Sequence, residues 1–362
     1  MRLELRPRAN VPWWANALSP VAALAVTAAV GAVLFAALGK PPGRALYVYF
    51  VEPLTDPWSL HELTVKAAPL ILIAVGLSVA FRANRWNIGA EGQLIAGAIT
   101  AGALPVLAPG VSGAWVVPAM LLLAAAGGAA WGAIPAILKT RFGANEILVS
   151  LMLVYVAGLL LDYLVRGPWR NPGGFNFPET ASFPPDARLA ELITDGAFSG
   201  RANTGIVIAV VLAILTFILI ARTLKGFEIA VSGESPRAAR FAGFDERRTT
   251  LFVFLYSGAF AGIAGAIEVM GTIGQLRPAI SPGYGFTAII VAFLGRLNPL
   301  AIIVAGYLLA LSYIGGEAAQ MMLQLTDRTT RVFQGVLLFA VLASDTLLRH
   351  EVRLVRAKTV AP

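Results

Sequence analysis

The run LTVKAAPLILIAVGLSVAF, Leu63 to Phe81, stays almost wholly apolar for the length of a bilayer crossing and stops at Arg82, with Arg85 just beyond. About 20 apolar residues in helical form span the ~30 Å hydrocarbon layer of a membrane. Runs of this kind recur along the whole chain. Its 362 residues are 57% hydrophobic and 13% charged, with a mean hydropathy of +0.75, whereas soluble domains carry about 25% charged residues. The composition is that of a polytopic membrane protein.

Working outward from Leu63–Phe81, the apolar runs bounded by charge, Pro or Gly predict crossings at Leu18–Leu38, Leu63–Phe81, Trp86–Leu107, Ala114–Leu138 and Ile147–Val165. Others follow at Thr204–Ala221, Leu251–Met270, Gly283–Leu294, Leu300–Gly315 and Val332–Leu348. Backbone groups in lipid must be bonded internally, so each run is read as a helix and the fold class as an all-α transmembrane bundle of about ten helices. The first run follows an Arg-bearing leader with Trp13 and Trp14 and is long enough to span, which reads as a retained helix. A single transmembrane domain covers 1–362, with two long connections at 166–203 and 222–250.

Lys and Arg collect on the cytoplasmic side of membrane proteins. With the N-terminus inside, the inner segments hold the larger share of the 28 Lys and Arg, including Arg82, Arg85, Lys139, Arg222, Lys225, Arg237, Arg240, Arg247 and Arg248. Both termini are then cytoplasmic. The formal net charge of +8 is accounted for by topology, so no nucleic-acid partner is needed to explain it. The chain has no Cys, which excludes disulfides, thiolate metal sites and Cys nucleophiles. Gly31–Lys40 lacks the spacing of a phosphate-binding loop, and His61-Glu62 has no second His four residues on for a zinc site. No catalytic residue and no bound cofactor are expected.

In the inner connection, Ser235-Pro236 reads as an N-cap followed by Pro at the first helical position, and Gly243 as the left-handed residue that ends a helix. A short helix is predicted at Pro236–Ala242. It combines Arg237 and Arg240 with Ala238, Ala239 and Phe241, which suits docking into a groove of another protein or rest on anionic headgroups. The outer connection, 166–203, is rich in Pro and Gly and carries a short expected helix at Asp186–Thr194. It reads as a cap on the bundle, as a receiver for an outside partner, or as a solvated linker.

Asn87, Glu91 and Gln93 open the third run. In a helix, Asn87 and Glu91 share a face, while Gly89, Gln93, Gly97 and Ala101 form a ridge of mostly small residues. An acidic side chain in a membrane helix faces protein or water. These residues are read as lining a pathway or its inner gate, with pairing of Glu91 to Arg82 or Arg85 as the competing reading. The ridges Gly128, Gly132, Ala136 and Gly258, Gly262, Ala266 read as packing contacts. Asn145 and Glu146 are expected to cap the fifth run. Glu268, Gln275, Glu317 and Gln320 fall toward outer ends, at a mouth or in the solvated interface.

The stretch Phe81-Arg82-Ala83-Asn84-Arg85-Trp86-Asn87-Ile88-Gly89-Ala90-Glu91-Gly92-Gln93-Leu94 resembles the signature of permease subunits of bacterial ABC importers. The superfamily is the one that handles branched-chain amino acids, simple sugars and nucleosides, and the likeness is greatest to the nucleoside branch. Similar blocks are Ala144-Asn145-Glu146-Ile147 with Tyr155, though Val154 stands where the pattern has Asn, and Ser281 to Pro299, with Phe293 in place of Leu. The segment from Gly233 to Gly243 resembles the region that contacts the ATPase, so Gly233, Glu234, Arg237, Ala238, Ala239, Arg240 and Gly243 are its expected docking residues.

The resemblance implies a multi-pass protein of the bacterial inner membrane, without enzymatic activity of its own. It implies four further partners: a cytoplasmic ABC ATPase that binds ATP and Mg, a second permease subunit (a paralogous chain or a second copy), an extracytoplasmic solute-binding protein, and membrane lipids. The solute is expected to be a nucleoside or simple sugar, with Phe286, Phe293 and Tyr155 as candidate contacts. The alternative from another class is a stand-alone, gradient-driven carrier or channel for a small polar solute. An intramembrane enzyme is disfavoured by the missing catalytic spacings.

Overall fold

The computed structural model describes residues 2–7, 13–193, 200–326 and 350–355, with short pieces between 328 and 343. Seven of the described helices are long and apolar enough to cross a membrane, and Ala25–Ala37 and Tyr284–Leu294 are shorter apolar helices. Nine of the ten expected crossings fall on these elements. The tenth, Val332–Leu348, lies largely outside the described residues. The chain forms two compact units, Met1–Thr55 with Leu311–Pro362, and Asp56–Ala310.

In the first unit, α1 (Trp13–Ala37) and α2 (Pro42–Phe50) lead to the single turn α3 (Glu52–Thr55). Phe35, Ala45, Val48, Tyr49, Ala319 and Leu323 make its core, and Tyr49 Oη and Ser312 Oγ share a buried hydrogen bond of 3.0 Å. Beside the helices, β1 (Arg2–Pro7) pairs antiparallel with β2 (His350–Val355), Arg2 opposite Val355 and Pro7 opposite His350. This ribbon joins the two ends of the chain and is the only pair of strands among the described residues. The helix at Pro42–Phe50 was not expected, because nine residues behind two prolines lack the length of a crossing.

The second unit is built around α4 (Pro57–Arg82). Asp56 Oδ2 accepts from the backbone N–H and the hydroxyl of Ser59 at 2.9 and 2.8 Å, with Pro57 at the first helical position. Every residue from Ala67 to Phe81 is buried, so α4 is a helix wrapped in other helices. Its neighbours are α8 (Gly205–Arg222), α11 (Glu246–Ile267) and α12 (Tyr284–Leu294).

A second nucleus is the seam between α5 (Ala90–Leu107), α6 (Val116–Phe142) and α11. A Cβ on Gly97 would fall 2.2 Å from the Cα of Gly262, one on Gly128 2.2 Å from the carbonyl of Gly258, and one on Gly262 2.1 Å from the carbonyl of Ala124. The small ridges read in the sequence are therefore one interlocking surface. In membranes, where apolar side chains gain nothing from leaving lipid, this close backbone approach supplies the packing that holds helices together. On the flank, α7 (Glu146–Arg166) is capped by Asn145, whose Oδ1 accepts from Ile147 N at 2.9 Å, while Glu146 pairs with Lys139 at the end of α6.

Three sequence expectations need correction. The third crossing starts at Ala90, not Trp86, because Asn84 takes a left-handed φ of +53° and Arg85 N reaches back to Ala80 O at 2.9 Å, which ends α4 and leaves 83–89 unwound. Asn87 and Glu91 thus do not share a helix face. The short helix Asp186–Thr194 is only a 3-10 turn, Pro185–Ala187. Leu189 N–H bonds Met270 O at 3.2 Å instead of continuing a helix, and Thr194 itself lies outside the described residues. Ser235 starts a helix without a side-chain cap bond.

The seam predicts a clear contrast. Gly262→Val should lower the unfolding free energy of the detergent-purified protein by about 1–3 kcal/mol through overpacking. Gly158→Ala on α7, where a Cβ would meet nothing within 4 Å, should leave thermal unfolding unchanged or slightly raised.

Candidate functional site

Two places in the second unit gather the residues singled out in the sequence: the connection between α8 and α11, and the points where helices start inside the bundle.

Between α8 and α11 the chain makes two further helices, α9 (Leu224–Glu234) and α10 (Pro236–Phe241). Thr223 Oγ1 accepts from Gly226 N at 3.2 Å to start α9. Gly243, at φ +82°, ends α10, with Phe244 N returning to Ala239 O at 3.0 Å. Asp245 Oδ1 then accepts from Arg247 N at 2.8 Å and caps α11. Helix α10 is thus a stiff, stopped element as predicted. Only Ala239 is buried in it; Arg237, Ala238, Arg240 and the flanking Glu234 and Gly243 are exposed. Phe241 is 98% exposed. This large exposed ring belongs to the apolar side of the helix read as suited to docking, and lies outside the docking set that the family resemblance implies. Lys139, Arg240, Phe244, Asp245, Arg247 and Thr250 line a cavity of about 400 Å³ beside α10.

This region is fastened to the bundle. A Cβ on Gly233 would fall 1.9 Å from the carbonyl of Arg82, so α9 lies directly on the end of α4. Arg85 donates to Glu246 at 2.6 Å and to Thr250 Oγ1 at 3.0 Å. On α9, Glu228 accepts from Lys225 at 2.8 Å and from the Thr249 hydroxyl of α11. Partial burial pushes the Glu228 carboxyl up, but the hydrogen bonds from Lys225 and Thr249 and the Lys225 charge outweigh it and hold it below the usual carboxylate range.

Inside the bundle, Asn87 is fully buried. Its Nδ2 donates to Gln93 Oε1 at 2.9 Å and to Ser257 Oγ of α11 at 2.8 Å, and its Oδ1 accepts from Gln93 Nε2 at 3.1 Å and Gly89 N at 3.2 Å. Asn87 and Gln93 therefore bind each other and pin the unwound stretch to α11. Glu91 does not pair with Arg82 or Arg85; Arg82 donates to Leu297 O at 3.0 Å. Glu91 Oε2 accepts from Gly285 N at 2.6 Å, in the first turn of α12, and its carboxylate also takes a hydrogen bond from Ser281. Ser281 Oγ accepts from Gly283 N and Tyr284 N at 3.1 and 3.0 Å. A carboxylate at a helix N-terminus complements the helix dipole.

The lead-in to helix α12 is non-helical. Residues 274–276 bond to the long connection 166–203: Phe183 N to Gly274 O at 2.7 Å, Thr180 N to Leu276 O at 3.0 Å and Gln275 Nε2 to Glu179 at 2.6 Å. Leu189 reaches Met270 within the π-helical turn Glu268–Ile273 that ends α11, and Arg201 pairs with Glu62 at 2.8 Å. The connection is a cap on the bundle. Of the polar residues expected toward outer ends, Glu268 is buried and Gln275 is bonded. Phe286 and Phe293 lie on one face of α12. Tyr155 is on α7, which packs on α5 and α6, and is 65% exposed.

Helices long and apolar enough to cross a membrane, interrupted inside the bundle, with a bonded cap on one connection and an exposed short helix on another, describe a polytopic membrane protein. The chain belongs to the family of branched-chain amino acid transport system permease components, whose model matches residues 59–342. It is similar to a glucose ABC transporter permease protein of Haloferax volcanii, 37% identical over 97% of this chain and 94% of that protein. It also matches a guanosine ABC transporter permease protein of Bacillus subtilis, 32% identical over 82% of this chain and 85% of that one. A third match is a nucleoside ABC transporter permease protein of Lactococcus lactis, at 26% over 82% and 83%. No solved structure matches the chain. The protein is thus a multi-pass ABC transporter permease subunit.

Two outcomes follow from this geometry. Asn87→Ala and Gln93→Ala should each destabilise the purified protein, because each leaves a buried partner unsatisfied at about 1–3 kcal/mol, and the double variant should cost clearly less than the sum in thermal unfolding. Because the Glu228 pKa is depressed on folding, its contribution is present above the ordinary glutamate pKa and lost as pH falls through the lower folded value. The stability difference between wild type and Glu228→Gln should hold through neutral pH and be lost as pH falls below the ordinary glutamate range.

Proposed function

We propose that this chain is the membrane path of an importer for a simple sugar or nucleoside, driven by a separate cytoplasmic ABC ATPase that docks on α10. The single observation that carries the reading is the form of that helix: stopped by Gly243, exposed on all but one residue, and flanked by α9, whose Gly233 lies on the end of α4, and by α11, whose Glu246 is bonded to Arg85. Arg237, Arg240 and the protruding Phe241 supply charge and an anchor for the ATPase, and Ala239 faces the bundle. ATP and Mg are held by that partner chain.

A displacement of α10 has a short mechanical route inward. It passes from Gly233 to the end of α4, and from Glu246 and Thr250 through Arg85 into the unwound stretch 83–89. That stretch carries Asn87 and leads to Glu91, which holds the start of α12. Glu91 is assigned as the gate: separating its carboxylate from Gly285 N frees α12 to move, while Asn87 and Gln93 keep the hinge in register. A rigid-body shift of this type suits alternating access.

In this reading both termini and α10 are cytoplasmic, as the distribution of Lys and Arg favours, and the capped end faces out in the plasma membrane. There it receives solute from a binding protein. A second permease subunit, paralogous or identical, completes the path. The solute class rests on the glucose, guanosine and nucleoside names of the similar proteins.

The test is uptake of labelled glucose or guanosine into vesicles containing the permease with its ATPase and binding protein. Uptake should require ATP, and Arg240→Glu should abolish it while the assembled membrane protein remains and ATP hydrolysis persists without uptake. Flux through the permease chain alone would instead establish the gradient-driven carrier.

A further inference from the structure

Glu268 opens the π-helical turn Glu268–Ile273 and is 6% exposed. Among the described residues no hydrogen bond or ion pair reaches its carboxylate. Lys66, Arg277 and Arg201 act on it electrostatically, against Glu62. Arg201 and Glu62 are paired with each other at 2.8 Å, so Lys66 and Arg277 balance the charge of Glu268 without bonding to it. A buried acceptor without a donor costs stability, and native structures hold few such groups.

A second uncommitted polar group lies on the same turn. Asn203, 4% exposed, gives its Oδ1 to the Gly205 amide at 3.0 Å, and its Nδ2 meets no acceptor among the described residues. A Cβ on Gly271 would fall 2.6 Å from that Nδ2. The amide therefore rests against the turn at the one residue that has no side chain to displace it. Gly271, Thr272 and Ile273 are partly exposed, which leaves the turn an open side. Turns of this wide form recur at functional sites, and an ionisable side chain within a spanning helix marks a substrate or ion pathway.

We propose that Glu268 and Asn203 form a binding site for a pair of adjacent ring hydroxyls, the carboxylate accepting from the pair and the amide donating to it. A hydroxyl is donor and acceptor at once, so two neighbouring hydroxyls satisfy both side chains. A metal cation does not suit the turn: Lys66 and Arg277 repel it, and no cluster of ligating side chains stands there among the described residues. The inference rests on the importer reading above and adds the part of the solute that is recognised. That part is the hydroxyl pair shared by simple sugars and nucleosides, and the base plays no role in it.

Glu268→Gln keeps the shape of the side chain and removes its charge. Thermal unfolding of the purified protein should be unchanged or raised, because a buried charge is lost and no bond is broken; a clear fall makes Glu268 a structural group and overturns the site. The second measurement is ATP-driven uptake by the full complex in vesicles, with the binding protein saturated by each solute so that its own preference drops out. Guanosine is compared with dideoxyguanosine, and glucose with a dideoxyglucose, each analogue lacking an adjacent hydroxyl pair. Glu268→Gln should lower uptake of the parent solute about 10–100-fold and leave that of the analogue unchanged. Equal losses for parent and analogue, or no loss for either, overturn the site and leave the importer reading standing. A sodium requirement that Glu268→Gln abolishes makes the carboxylate a cation ligand and also overturns it. Wild-type uptake of neither guanosine nor glucose overturns the importer reading on those solutes, and the hydroxyl site with it.

Discussion

The fold depends on one constraint: two stretches of backbone, beside the buried helices α4 and α12, leave the helical ladder and need other hydrogen-bond partners. Residues 83–89 and 274–283 each expose amides and carbonyls that cost several kcal/mol apiece when left unpaired in an apolar medium. The solutions differ. In the first stretch one side chain, Asn87, bonds to Gln93, Ser257 and the Gly89 amide together. In the second, the bonds are supplied from the long connection through Thr180 and Phe183, and then by Ser281 and Glu91 at the start of α12. The length and irregularity of 166–203 follow from that duty: a tight turn cannot lie along another extended segment and bond to it.

The glycine seam serves the same end. Interruptions in a helix weaken its own cohesion, so the neighbours must supply rigidity. The contact of Gly97, Gly128, Gly258 and Gly262 draws α5, α6 and α11 to backbone distance. Ser257 directly precedes Gly258 on α11 and meets Asn87 from beside that surface. The polar lock and the seam are parts of one helix, which keeps the unwound stretch in register while the projecting connection at 222–250 remains free to engage a partner.

Much of this architecture was legible in the chain, and the reasons for the rest are physical. Crossings show as apolar runs because bilayer thickness imposes their length. Helix α10 shows because Pro236 and Gly243 are local signals. The unwound stretches do not show: Trp86 to Leu107 still reads as a helix-compatible run long enough to cross, and its break is decided by partners 170 and 194 positions away, Ser257 for Asn87 and Gly285 for Glu91. The sharing of a face by Asn87 and Glu91 fails for that reason. Helix α9 does not show either, because a polar, eleven-residue helix gains its stability from Gly233 on Arg82 and Glu228 on Thr249, neither visible in sequence. Phe241 was legible as a large apolar residue in a charged connection, and the structure leaves it exposed.

The burial of α4 has a consequence for biogenesis. It emerges from the ribosome before α11 and α12, two of the helices that finally enclose it, and at about 5–20 residues per second the chain between Arg82 and Glu246 takes roughly ten to thirty seconds to make. During that interval a segment destined for the interior must reside in lipid or under the care of the insertion machinery. Its high hydropathy, 2.0 over the spanning window, suits that temporary residence more than its final one. The centre of the molecule is thus written in the code of its periphery.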